Sequence, residues 1–193
     1  MDRNQKEALA MRVSVVTILG NLALTIFKLA AGVLAHSGAM ISDAIHSGSD
    51  VMSTFVVIAG VKLSGQESDQ EHPFGHERFE CVAAILLSVM LAATGAGIGW
   101  AGIQKIFGDA GELVVPGQLA LIAAVVSILS KEGMYWYTRA AAKTIHSDAL
   151  MADAWHHRSD SLSSIGALVG IACSLAGFPV MDSVASVVIC ICI

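Results

Sequence analysis

HSGAMISDAIHSGSDVMS, residues 36–53, sets ionisable side chains inside a segment otherwise apolar enough to cross a membrane. His46 and Asp50 are four residues apart and so share one face of a helix. The arrangement returns 110 residues later as HSDALMADAWHHRSDSLS, residues 146–163, which matches the first copy at nine of eighteen positions without a gap. The shared positions include Asp43 and Asp153, His46 and His156, Ser49 and Ser159, and Asp50 and Asp160. Two copies of His-x-x-x-Asp supply two imidazoles and two carboxylates, a complete tetrahedral set for a divalent metal such as zinc.

Working outward, the composition points to an all-α membrane protein. The 193 residues are 55% hydrophobic and 14% charged, with a mean hydropathy of +0.69, whereas soluble domains carry about 25% charged residues. Stretches long enough to span about 30 Å of hydrocarbon fall at roughly residues 11–34, 38–63, 79–106, 116–138 and 148–176, with a sixth at 178–193. Arg3, Lys6, Arg12, Lys62, Arg78, Lys131, Arg139 and Lys143 fall on or near one face, which predicts a cytoplasmic amino terminus. Lys28 and Lys105 lie near the opposite helix ends, where long stems snorkel to the interface. MDRNQKEALAMR leads into a full-length span and reads as a cytoplasmic lead-in, not a cleaved signal. Cys81, Cys173, Cys190 and Cys192 lie in apolar spans without a CxxC pair, so no disulfide framework is expected. The net charge of −5 and the lack of a basic groove with interleaved aromatics give no reason to expect nucleic acid.

With the amino terminus inside, the second and fifth spans run in opposite directions, so the two copies of the motif are antiparallel. A three-helix offset produces this inversion, and 3+3 inverted repeats place their substrate near the midplane. From Ser37 and Ser147 each His lies nine residues on and each Asp thirteen, about 14 to 20 Å at the helical rise. Opposed helices therefore bring all four groups to one level, as a transition-metal transporter requires.

HxxxD in spans two and five, the loop HPFGHERFE at 72–80 and the run LMADAWHHRSDSLSS resemble the cation diffusion facilitator family of divalent-metal/proton antiporters, over nearly the whole chain. The resemblance implies a six-helix membrane domain, a homodimer in the lipid bilayer, and export of metal from the cytoplasm in exchange for protons. The expected location is a prokaryotic cell membrane, which the protein crosses several times. Family members usually continue into a cytoplasmic ferredoxin-like domain, which these 193 residues do not include. The family's transport site falls on His46, Asp50, His156 and Asp160. Imidazole with carboxylate suits zinc, with cadmium, cobalt and ferrous iron open, while an all-oxygen set suits magnesium or manganese.

Asp69, His72 and His76 form a second candidate metal site, which the resemblance supports. Glu77 and Glu80 offer caps for the third span. Asp43 and Asp153, three residues before each His, are candidates for fixing the imidazoles, for carboxylates along the pathway, or for helix packing. Arg158 points away from the site and calls for an acid on another helix. Asn21 reads as a helix bridge, and Gly95 with Gly99 as a packing face. Tyr135, Trp136 and Tyr137 read as an aromatic belt.

Two other classes are open at this point. HERFE, residues 76–80, begins like the HExxH motif of zinc proteases, but Glu80 stands where the second His is required, which weakens an intramembrane hydrolase and favours a protein that is not an enzyme. An uncoupled metal channel or a non-transporting subunit is the other alternative.

Overall fold

The structure, a computed structural model, describes residues 3–64, 78–107 and 115–191. Among them are six helices and no strand: α1 (Arg3–Leu34), α2 (Gly38–Ser64), α3 (Arg78–Phe107), α4 (Gln118–Ile145), α5 (Asp148–Leu175) and α6 (Val180–Ile191).

The repeated sequence is repeated as local structure. His36 and His146 each close a helix in the left-handed conformation with φ 54°. The N–H of Ser37 then donates to Gly32 O, and that of Ser147 to Ala142 O, each at 3.0 Å, the six-to-one closure of a helix C-terminus. The same serines start the next helices: Ser37 Oγ accepts from Met40 N–H at 3.1 Å and Ser147 Oγ from Leu150 N–H at 3.3 Å. Each motif helix thus begins with the same turn and the same hydroxyl cap.

α2 has an additional cap from a distant helix. Asp182 of α6, almost fully buried, accepts from Ser37 Oγ at 2.6 Å and from Gly38 N–H at 2.7 Å. A carboxylate is favoured at this end of a helix by the unpaired amides and the dipole.

α1 packs on α2 and α4, α4 on α5, and α3 with α6 against α2, while α6 also meets α5. Small residues set these distances. The main core cluster contains Ala31, Ala35, Ala39, Ala120, Ala123, Ala124, Ala167 and Ala185. A Cβ on Gly99 would lie 2.8 Å from Cys190 Sγ, and one on Gly102 2.6 Å from Val187 Cγ2. The glycine face of α3 is therefore taken by α6 of the same chain. Close backbone approach replaces the hydrophobic driving force that helices lack in lipid.

The outside is apolar: Leu19, Ile26, Leu129 and Leu162 are each more than half exposed. α1, α3 and α4 contain stretches long and apolar enough to cross a membrane. α5 is not among them, because its polar residues dilute it.

Several sequence readings change here. Lys28 does not snorkel to an interface, since it is 0% exposed. Lys131, counted with one face, is 1% exposed in the middle of α4. Tyr135 is buried and leaves the aromatic belt to Trp136 and Tyr137, which stay exposed.

Candidate metal centre

α2 and α5 meet where their ionisable residues lie. His46 and Asp50 of α2 and Asp160 of α5 each present one donor atom within 4.8 Å of the others. For an ion about 2.1 Å from each donor, the donors can stand at most about 4.2 Å apart. A contraction of at most about 0.6 Å would bring these three donors onto one ion.

His156 stands outside this cluster. Its Nε2 is 3.8 Å from Asp160 Oδ1 and its side chain is 49% exposed, so of the four predicted donors three are gathered and the fourth is turned to the edge. Both Asp50 and His156 line a cavity of about 280 Å³ whose wall also includes Thr17, Asn21, Asp153 and His157. The cavity joins the candidate centre to the amino-terminal halves of α1 and α5.

The residue that sequence reasoning missed is Lys131. Its ammonium lies 2.6 Å from Asp160 Oδ2 and donates to Asn21 Oδ1 at 2.8 Å. Asn21 and Lys131 are themselves 110 residues apart, the offset of the repeat, so equivalent positions on α1 and α4 meet beside the candidate centre. Asn21 therefore bridges helices as expected, with the partner now named. The available signal was a lysine in mid-span, where ionisable residues are rare and seldom idle.

Asp43 is turned away from the imidazoles. It pairs with Lys28 at 2.8 Å and accepts from Ser163 at 3.0 Å and Ser164 at 2.9 Å. Lys28 also donates to Ser47 and Ser164, both at 3.0 Å, and Ser127 meets Ser164 at 2.8 Å. This buried network joins α1, α2, α4 and α5, which is the helix-packing alternative for Asp43. Asp153 instead lines the cavity, its Oδ2 3.6 Å from Nε2 of His157. His157, which the sequence reading passed over, is 1% exposed.

Arg158 finds its acid on α4, with Nε 3.6 Å from Glu132 Oε1, and its guanidinium carbon lies 4.7 Å from the Tyr135 ring centre. Tyr135 is enclosed by this cation together with the rings of Trp136 and Trp155, whose centroids lie 5.1 and 5.5 Å away. Asp69, His72, His76 and Glu77 lie outside the described residues, as does the side chain of Glu80.

Comparison with known proteins bears on the same segments. The family model for the cation efflux transmembrane domain matches residues 14–193. The chain belongs to the cation efflux family. It is 37% identical over 185 residues to metal tolerance protein C1 of Arabidopsis thaliana, covering 89% of this chain and 39% of that protein. It is 34% identical over 167 residues to the magnetosome protein MamB of Magnetospira sp. (strain QH-2), covering 86% and 56%. It is 30% identical over 174 residues to the manganese efflux system protein MneP of Bacillus subtilis (strain 168), covering 90% and 58%. The chain thus spans between about two fifths and three fifths of the length of these relatives. Cation efflux proteins are transporters, not enzymes, and the hydrolase alternative is set aside. The chain is an all-α membrane protein of this family.

Proposed function

We propose that this chain is the membrane domain of an exporter that moves a divalent transition metal, zinc in the first place, out of the cytoplasm in exchange for protons. His46, Asp50, His156 and Asp160 hold the ion. The observation that carries this reading is the convergence of His46, Asp50 and Asp160 from two helices beside a cavity lined by the amino-terminal halves of α1 and α5. Cysteine-free donors of imidazole and carboxylate suit zinc and its neighbours. The name of MneP keeps manganese in view.

With the amino terminus in the cytoplasm, the cavity faces inward. On α2 the Lys28–Asp43 network lies seven residues beyond Asp50, about 10 Å along the helix, on the side away from the cavity. Metal enters from the cavity and draws His156 inward to complete the set. Rocking of the helices then opens the opposite side. Acid there protonates the ligands and expels the metal, since ligation requires deprotonated groups. The peripheral site of Asp69, His72 and His76 receives metal before the cavity does. The chain acts as a homodimer in a prokaryotic cell membrane.

Proteoliposomes with an imposed pH gradient test this. Zinc flux should follow the gradient and fall by at least about 100-fold in Asp50→Ala or Asp160→Ala, more than the 10- to 100-fold typical of residues that only support a ligand. Full flux in Asp50→Ala or His156→Ala would overturn the assignment, and flux indifferent to the gradient would favour a channel.

A further inference from the structure

The ammonium of Lys131 sits against one oxygen of Asp160 and leaves the other. It lies 2.6 Å from Oδ2, both side chains being at most 3% exposed, and Asn21 Oδ1 anchors it at 2.8 Å from α1. Oδ1 is the oxygen beside His156, 3.8 Å from Nε2, close enough for one ion to touch both at metal–ligand distances of about 2.1 Å.

We infer that Lys131 determines metal preference by holding Asp160 to ligation through a single oxygen. The inference rests on the tetrad being the transport site. An ion bound by both carboxylate oxygens would be forced close to the ammonium, where repulsion between a double and a single positive charge is twice that of two unit charges and is poorly screened by salt. An ion bound through Oδ1 alone keeps the carboxylate between itself and Lys131. One oxygen from Asp160 leaves the site near four ligands, the number zinc takes. Ions that prefer six oxygen ligands lose the second carboxylate oxygen that would help fill their shell. Lys131 is thus a positioning residue acting through Asp160, and Asn21 holds it in place.

The test measures kcat/KM for Zn²⁺ and for Mn²⁺ separately in proteoliposomes of the full chain. Lys131→Met should raise the Mn²⁺-to-Zn²⁺ ratio about tenfold, the lower end of what loss of a ligand's supporting partner produces. Asn21→Leu should shift the ratio in the same direction by less, and Lys131→Arg, which keeps a cation on Asp160, should leave it near the wild-type value. Where a variant does not transport, calorimetric binding of the two ions to detergent-solubilised protein reads the same ratio. An unchanged ratio, or equal loss for both ions, overturns the inference, because a lysine that merely stabilises the fold would affect both alike. Wild-type protein that moves neither ion removes the parent reading first, and this inference with it.

Discussion

Lys28 and Asp43 face each other at 2.8 Å with neither side chain reaching the surface. The pair ties α1 to α2, and Ser164 and Ser163 bind it to α5. Removing one partner strands a buried charge, whereas replacing both with apolar groups removes the desolvation cost as well. Lys28→Met should therefore destabilise the protein by about 3 to 5 kcal/mol, and Lys28→Met with Asp43→Leu should recover only part of that loss, because Ser163 and Ser164 then lose their acceptor. Chemical denaturation in mild detergent measures both. Additive losses in the double variant would mean the two charges are not coupled.

Asp182 holds the start of α2 from across the bundle through Ser37 and Gly38. Asp182→Ala leaves a buried hydroxyl and an amide without their acceptor, a cost of about 1 to 3 kcal/mol. Asp182→Asn keeps an acceptor and loses the charge, so its cost should be smaller. Hydrogen exchange localised to the first turn of α2 is the measurement, with faster exchange expected there in the alanine variant.

Two glycines on α5 make a controlled pair. A Cβ at Gly170 would overlap Ala185 Cβ on α6 and lie 3.0 Å from Met181 O, whereas one at Gly166 meets nothing within 4 Å. Gly170→Ala should cost about 1 to 3 kcal/mol as overpacking. Gly166→Ala should gain up to about 1 kcal/mol from helix propensity. Melting temperatures moving in opposite directions would bear this out, and parallel shifts would refute it.

His36 and His146 both sit at φ 54°, a conformation that costs a residue with a Cβ roughly 1 to 2 kcal/mol. His36→Gly and His146→Gly should each raise stability by up to about 1 kcal/mol, the relief of strain being partly offset by the entropy of an unfolded glycine. Neither histidine belongs to the candidate centre, so metal flux should be unchanged. A loss of flux in either variant would give these turns a role in transport.

Much of this molecule is legible from one dimension because hydropathy and local spacing are one-dimensional quantities. Helix positions follow from apolar length, and the pairing of His46 with Asp50 and of His156 with Asp160 from the four-residue interval. Other features depend on neighbours far along the chain. Arg158 required an acid, but Glu132 became that acid only when α4 packed on α5. The glycines of α3 announced a close contact, yet α6 as its occupant is a matter of topology.

The buried lysines show the division most clearly. An isolated lysine on an apolar helix reads the same whether its stem runs to the membrane surface or its ammonium meets a carboxylate, because the distinction lies in what faces it. The sequence alone determined six helices, a repeat, and two pairs of imidazole and carboxylate. Only the packed structure decided that Lys28 belongs to Asp43 and Lys131 to Asp160, and that His156 stands apart from the three donors already gathered. The physical reason is the cost of burying a charge: it forces a partner to exist, but leaves the choice of partner to whichever helix arrives beside it.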